Sequence, residues 1–154
     1  MAKVKGRRNR IKYLLISIAK IMYEEGKYKS KHMVIEENYK KYNMRETHLI
    51  HDYPTYEKYK DIAAMFANYL RSNYNIKYES QLMKLSKEEL YQYISEYINY
   101  LRDVEKLSQN KIRNYILALS KMLIPVRPDI REFFITSKNR FGWRDLLLNH
   151  DFEK

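Results

Sequence analysis

The stretch TYEKYKDIAAMFANYLRS, residues 55–72, decides the fold. Its apolar and aromatic residues recur at intervals of three and four, which is the period of a helix that packs one side against a core. Pro54 precedes the stretch and suits a first helical turn, with Asp52 or Tyr53 at the boundary. The sequence therefore predicts a long amphipathic helix, whose inward residues are Tyr56, Tyr59, Ile62, Ala63, Phe66, Tyr69 and Leu70.

Two more helices are predicted downstream. Ser86 and Glu89 have the spacing of a capping box, in which each side chain accepts a hydrogen bond from the backbone N–H of the other residue. That helix runs to about residue 104. Ser108 caps the next helix, which Pro125 ends. The predicted inward residues are Leu90, Tyr93, Ile94, Tyr97, Ile98 and Leu101 in the first helix, and Ile112, Tyr115, Ile116, Leu119, Met122 and Leu123 in the second.

Upstream, residues 8–25 also have helical spacing and stop at Gly26, a residue common at helix C-termini. Ser30 can cap a shorter helix over residues 31–42. The predicted inward residues are Ile11, Leu14, Leu15, Ile18, Ile21 and Met22 in the first helix, and Met33, Val34 and Tyr39 in the second.

The segments between these helices lack periodicity. Residues 43–53 are predicted as a connector and residues 73–85 as a loop, and a short helix is predicted over residues 143–148. The whole chain has only three glycines and three prolines, and no strand-like alternation of useful length. The fold class that follows is all-α: a compact bundle of four to five helices with a basic N-terminal arm.

The charge balance favours a polyanionic partner. Thirty Lys and Arg residues against 19 Asp and Glu residues give a formal net charge of +11. Residues 1–31 contain ten of the basic residues and only Glu24 and Glu25 as acids, so most of the excess lies there. Such asymmetry is typical of an arm that contacts phosphates, although a basic start that only aids solubility would have the same composition.

Several classes of protein are disfavoured. Without cysteine the chain has no disulfide framework, thiolate nucleophile or cysteine-ligated zinc, which favours the cytoplasm. The apolar run over residues 13–21 is interrupted by Ser17 and Lys20, unlike a signal peptide, and no stretch is long enough to cross a bilayer. No histidine pair suggests a metal, and His48 and His51 are predicted to be polar loop residues. We therefore expect no cofactor and no membrane partner.

Five short segments and one tyrosine follow one another in an order that suggests a family. They are KSKH at 29–32, IHDYPTY at 50–56, Tyr59, FANYL at 66–70, LSQNKI at 107–112 and ALSKM at 118–122. In order and residue type they resemble the N-terminal DNA-binding part of tyrosine recombinases, the phage-integrase type with a SAM-like core-binding domain. The resemblance covers residues 29–124. It implies a helical bundle that forms half of a clamp around double-stranded DNA, while a C-terminal domain supplies the nucleophilic tyrosine and its activating arginines.

The sequence departs from that family in its catalytic residues. It has no His-x-x-Arg box, and a tyrosine nucleophile needs neighbouring cations because its hydroxyl pKa is about 10. We therefore expect a non-catalytic DNA-binding module of recombination or integration machinery, associated with the nucleoid. The expected divisions are a basic arm with helices over 1–52, the core-binding domain over 53–126, and a helix or linker over 127–154 toward an absent catalytic domain.

The candidate DNA-binding residues fall into three groups. The outer face of the helix that starts at Ser108 is suited to the major groove, because its amides and guanidinium can contact base edges. Basic residues near Ser30 are suited to phosphates, and the arm can follow a groove. The three groups are Asn110, Lys111, Arg113, Asn114 and Lys121; Lys29, Lys31 and His32; and Arg7, Arg8 and Arg10.

Three alternatives stay open. The face that carries Lys111 and Arg113 could be an ordinary solvated helix surface. The protein could be a stand-alone adaptor, or a transcription or plasmid regulator, whose main partner is a recombinase protomer or another protein bound through a tyrosine-rich face. RNA binding is weaker, because the sequence lacks an RNP-like strand pattern and a Gly-x-x-Gly loop.

Overall fold

The computed structural model describes residues 10–42 and 47–130. These residues form six α-helices and one 3-10 turn, and their only β feature is an isolated bridge between Arg10 and Tyr78. The all-α prediction is confirmed. The helices are α1 (Ile11–Gly26), α2 (Lys31–Tyr42), α3 (Tyr53–Tyr74), α4 (Glu79–Lys84), α5 (Lys87–Asp103) and α6 (Gln109–Leu123), and the 3-10 turn is Pro128–Ile130.

The predicted caps define the helix starts. Asp52 accepts a hydrogen bond from the backbone N–H of Thr55 at 2.9 Å, and Pro54 lies in the first turn of α3. The capping box of α5 is complete, because Ser86 Oγ accepts from Glu89 N at 3.0 Å and Glu89 Oε1 accepts from Ser86 N at 2.9 Å. Ser108 Oγ accepts from Lys111 N at 3.2 Å at the start of α6. These bonds satisfy backbone donors that helix geometry leaves without partners.

One hydrophobic core joins the helices. Helix α1 packs against α3, α4 and α6, while α3 and α5 both pack against α6 and against each other. The core includes Leu15 and Met22 from α1, Phe66 from α3 and Tyr97 from α5. It therefore contains residues from the segment 1–52 and from the segment 53–126. In the part of the chain that the structure describes, no helix is long and apolar enough to cross a membrane.

Three residues predicted to point inward are exposed instead. Ile21 is 48% exposed, Met33 61% and Tyr39 43%. In α2 the buried residues are Val34 and Asn38, four positions apart, because this helix contacts the bundle along a narrow edge. Of the three residues of α2 predicted to point inward, Met33, Val34 and Tyr39, only Val34 is buried.

The predicted loop over residues 73–85 contains a helix. Asn75 has a left-handed backbone, with φ of 57°, and ends α3. Buried Ile76 and Leu82 then anchor the short helix α4, and the Gln81 side chain accepts hydrogen bonds from the backbone N–H groups of Lys77 and Tyr78. Six residues are too few to display a helical period, so the sequence pattern could not reveal this helix. The helix predicted over residues 143–148 lies outside the described residues.

Candidate functional site

A cleft of about 700 Å³ lies between α2, α3 and α6. We call it the lysine cleft, because four lysines from the three helices line it. Its apolar and aromatic wall comprises Ile35, Tyr59, Ile62, Tyr115 and Leu117. Its polar lining comprises Lys31, Thr47, Thr55, Lys58, Lys111, Asn114 and Lys121.

Helical spacing brings these side chains together. Lys31 and Ile35 are one turn apart on α2, and Thr55, Lys58 and Ile62 follow one face of α3. On α6, Lys111, Asn114 and Lys121 lie at intervals of three and seven, which also keeps them on one side. The Ser108 cap sets where α6 begins and hence where Lys111 is presented to the cleft.

The lining of the cleft is cationic. None of its lining residues is acidic. In residues 10–42 and 47–130, no carboxylate lies within 4.0 Å of the ammonium groups of Lys31, Lys58 or Lys111. All three side chains are exposed, as is Asn114. The nearby Asp52 has a lowered pKa, mainly because Thr55 donates hydrogen bonds to it and to a smaller extent because of the charge on Lys31. The arrangement suits a bound anion.

Lys121 was predicted to be on the outer surface, and that prediction is wrong. The residue is only 7% exposed, and its Nζ lies 5.7 Å from the centre of the Tyr59 ring. The residues around it, from 118 on α6 to 124 just after the helix, are all buried, so this end of the helix is covered on every side. Its methylene groups are packed while its ammonium contacts an aromatic face, and it still lines the lysine cleft.

The remaining predicted DNA-binding residues do not line this cleft. Lys29 lies 3.6 Å from Glu25, and His32 Nε2 lies 3.7 Å from Glu36, in exposed pairs whose members are four positions apart. Asn110 and Arg113 are exposed on α6 without lining the cleft, and Arg10 is exposed at the start of α1. Arg7 and Arg8 lie outside the described residues. The structure thus brings together Lys31, Lys111, Asn114 and Lys121.

Sequence reasoning missed Lys58, and it placed Tyr59 on the inward stripe of α3 and not among the DNA-binding residues. Both residues lie at the edge of the apolar stripe of α3, and Tyr59 is half-buried. A signal was present, because Lys58 is three positions after Thr55 and four before Ile62 on the same helical face. Its significance depends on the lysines that α2 and α6 place beside it, which no local pattern encodes.

The two histidines of the connector make specific contacts with neighbouring segments and are more than polar loop residues. His51 Nδ1 lies 3.0 Å from the carbonyl oxygen of Gly26 and 3.1 Å from that of Lys29, so it donates its proton to them. In a neutral ring Nε2 then accepts from the Thr47 hydroxyl at 2.6 Å. His48 is buried, with Nδ1 3.3 Å from Asn38 Nδ2. These contacts fix Thr47 and the start of α2 beside α1.

Gly26 makes this close approach possible. A Cβ atom at this position would lie 2.3 Å from the carbonyl oxygen of Ile50. Such a distance is well inside van der Waals contact, so any other residue would push the connector away from α1. The glycine at the end of α1 is therefore required by the packing of the connector, in addition to ending the helix.

Tyr74, Tyr97 and Tyr100 have raised pKa values. Burial raises the pKa of Tyr97 and, together with a hydrogen bond from its hydroxyl to Glu96, that of Tyr74. A hydrogen bond to Glu105 raises the pKa of Tyr100 in the same way. Each shift disfavours the phenolate form. Within the described residues, no group of His, Asp or Glu side chains could hold a metal ion.

No family model, curated protein or solved structure matches the chain. What the lysine cleft can bind must therefore be inferred from its own shape and charge. It offers ammonium groups, one amide and two phenol rings around a concave surface. Those groups can neutralise an anion, donate hydrogen bonds to its oxygens and contact an attached sugar or base.

Proposed function

We propose that this protein is a non-catalytic DNA-binding module that holds the phosphate backbone of double-stranded DNA in the lysine cleft. One observation supports the proposal above all: four lysines from three different helices converge on one cleft whose lining contains no carboxylate. Like charges gathered in this way repel one another, and binding a polyanion relieves the repulsion. Each neutralised phosphate also releases condensed counterions, which favours binding at low salt.

The wider charge distribution favours a long polyanion over a single small anion. The chain carries a net charge of +11, and a local excess of basic residues precedes α2. Exposed Asn110 and Arg113 lie on α6 beside residues that line the cleft. With Lys111 and Asn114 on phosphates, these two side chains are available for base edges in an adjacent groove. The cleft would then supply affinity and α6 would supply preference for a site.

The place of this module in recombination or integration machinery, associated with the nucleoid, rests on the sequence resemblance to the core-binding domain of tyrosine recombinases. The non-catalytic part of the proposal is supported by the sequence, which has no His-x-x-Arg box to supply the cations that a tyrosine nucleophile needs. The resemblance also implies a clamp, and the cleft between α2, α3 and α6 is concave, as one half of a clamp must be.

The decisive experiment measures binding of a fluorescent duplex by anisotropy across a series of salt concentrations. The triple variant Lys31→Ala, Lys58→Ala and Lys111→Ala should weaken binding, and its salt dependence should fall by about 0.9 in log–log slope for each phosphate that the variant no longer neutralises. The matched control replaces exposed Lys20, Lys40 and Lys84, which do not line the cleft, and removes the same charge. Equally weakened binding in the two triple variants would contradict a specific role for the cleft.

A second candidate function, a regulator that binds another protein through tyrosines, has one observation in its favour. Tyr23, Tyr53 and Tyr56 form an aromatic group in which the Tyr23 and Tyr56 rings stack at 5.0 Å, and Tyr53 is half-exposed. The Lys60 ammonium lies 4.8 Å from the centre of the Tyr56 ring. Tyr53→Ala separates the functions, because it should leave duplex binding unchanged if DNA is the main partner.

A further inference from the structure

A second cationic cleft lies where the start of α1 meets α3. It has a volume of about 340 Å³ and we call it the N-terminal cleft. Four cationic side chains line it, and none of its lining residues is acidic. The cations are Arg10, Lys12, Arg71 and Lys77.

Backbone contacts hold the start of α1 against residues 77 and 78. The N–H of Ile11 donates to the carbonyl oxygen of Lys77 at 3.2 Å, and Arg10 forms the β-bridge with Tyr78. The guanidinium carbon of Arg10 lies 6.0 Å from the centre of the Tyr78 ring. The first turn of α1 is therefore fixed beside the segment that follows α3. The cleft is therefore a built feature of the fold.

Its cations are available to a ligand. All four side chains are exposed. In the part of the chain that the structure describes, none of them lies within 4.0 Å of a carboxylate. Arg71 is oriented by Asn68, another lining residue, whose side-chain oxygen accepts from Nη2 of Arg71 at 2.6 Å. A guanidinium positioned in this way retains donors for two oxygens of a phosphate.

The two clefts lie on opposite sides of α3. The residues that α3 gives to the lysine cleft are Thr55, Lys58, Tyr59 and Ile62, and those it gives to the N-terminal cleft are Ala64, Ala67, Asn68 and Arg71. Each member of the second set is nine positions after its counterpart in the first set. At 3.6 residues per turn, nine positions are two and a half turns, so each pair points in opposite directions.

We propose that the N-terminal cleft is a second phosphate-binding site, and that it holds a DNA segment separate from the one in the lysine cleft. One molecule would then bridge two duplexes. This inference rests on the proposed function of the lysine cleft. A duplex has a persistence length of about 150 bp, so it cannot fold around a helix that is about 10–12 Å across to reach both sides. Two sites on opposite sides of α3 therefore require two segments.

The test measures bridging and single-duplex binding with the same full chain. One short biotinylated duplex is fixed to streptavidin beads, and capture of a second, fluorescent duplex is measured at low salt with protein present. The wild-type protein should capture the second duplex. The variant Arg71→Ala with Lys77→Ala should reduce this capture by at least about tenfold, while its affinity for a single duplex, measured by anisotropy, should change by less than about threefold, because the lysine cleft is intact.

Two further variants keep the result interpretable. Lys20→Ala with Lys40→Ala removes the same charge from exposed positions outside both clefts and should bridge like the wild type. The variant Arg71→Gln with Lys77→Gln should also lose capture. Its helicity and melting temperature, measured by circular dichroism, should match those of the wild type, so that the loss of capture does not come from unfolding.

Three outcomes would overturn the bridging proposal. The first is that the wild type does not capture the second duplex. The second is that capture survives in the Arg71→Ala, Lys77→Ala variant and in the Arg71→Gln, Lys77→Gln variant. The third is that single-duplex binding falls in parallel with capture in these variants, which would mean that one duplex contacts both clefts. Single-duplex binding that depends on Lys31, Lys58 and Lys111 would still support the proposed function in the first two cases. Absence of any duplex binding would instead overturn the proposed function itself.

Discussion

The ammonium nitrogen of Lys121 lies 5.7 Å from the centre of the Tyr59 ring, where α6 packs against α3. The contact joins the hydrophobic core to the lysine cleft, because Lys121 is 7% exposed and yet lines the cleft. Its stem contributes to packing and its charge contributes to the site. The two contributions can be separated by substitution.

Lys121→Met should separate them. Methionine has a similar length and volume but no charge, so the free energy of unfolding should change by less than about 1.5 kcal/mol. Binding to a duplex should weaken, and the log–log salt slope should fall by about 0.9 if the ammonium contacts one phosphate. Urea denaturation and anisotropy titrations measure the two effects. Lys121→Ala is the comparison, because it should bind like Lys121→Met and in addition lose stability. An unchanged salt slope in Lys121→Met would show that this charge does not contact DNA.

A different substitution should stabilise the core. The Tyr97 hydroxyl is buried and has no hydrogen-bond partner among the described residues, while its ring packs against Phe66 at a centroid distance of 5.1 Å. Tyr97→Phe keeps the ring contact and removes the unsatisfied polar group, so it should raise the free energy of unfolding by about 1 kcal/mol. Thermal denaturation measures the change.

The matched control for Tyr97→Phe is Tyr100→Phe. The Tyr100 hydroxyl donates to Glu105 at 2.7 Å, so its removal should be neutral or slightly destabilising. If both variants lost stability to the same degree, the Tyr97 hydroxyl would have to be hydrogen-bonded in solution.

Local signals were sufficient for most of the fold. The caps at Asp52, Ser86 and Ser108 were predictable because a capping side chain and its backbone donor lie within three residues of each other. Helix α4 was not, because it is held by the burial of Leu82 against distant helices and not by a repeating pattern of its own. The apolar period also overstated how much of α2 is buried.

The candidate site was only partly predictable for the same reason. Lys111 and Lys121 are both polar positions on the periodic pattern of α6, and the sequence treats them alike. Only the packing around residues 118–124 distinguishes them, by covering Lys121 and leaving Lys111 exposed. Lys58 joins the site because α2 and α6 lie beside α3, which is a tertiary relationship. Charge asymmetry indicated a polyanion but not which lysines converge.

His51 of the connector provides a third prediction. His51→Ala removes the donor that binds the Gly26 and Lys29 carbonyl oxygens and the partner of Thr47. We expect the free energy of unfolding to fall by about 1–3 kcal/mol, because the Gly26 and Lys29 carbonyl oxygens and the Thr47 hydroxyl would each lose a hydrogen bond. His32→Ala is the control, since His32 is exposed and should change stability by less than about 0.5 kcal/mol. Equal stability of the two variants would show that the connector does not depend on His51.

A pH dependence should arise from the end of the bundle. Arg127 is 6% exposed, and its guanidinium donates to the Leu82 carbonyl oxygen at 2.8 Å and to both carboxylate oxygens of Asp129, at 3.0 and 2.7 Å. The hydrogen bonds from Arg127 hold the pKa of Asp129 below its usual value near 3.8. A carboxylate with a lowered folded-state pKa adds stability at pH values above its unfolded-state pKa, and that stability is lost as the pH falls through the folded-state value.

Asp129→Asn should therefore be less stable than the wild type at neutral pH, by about 1 kcal/mol because the carboxylate is half-exposed and screened by solvent. The difference should be constant from pH 7 to about pH 4 and should shrink below that, where the wild-type carboxylate becomes protonated. Urea denaturation across this range measures it. Asp103→Asn is the control, because its partner Arg102 is exposed and their pair should contribute less. A difference that stays constant down to pH 2 would mean that Asp129 acts through its shape and not through its charge, and the ion pair would then have no part in tying residues 127–130 to α4.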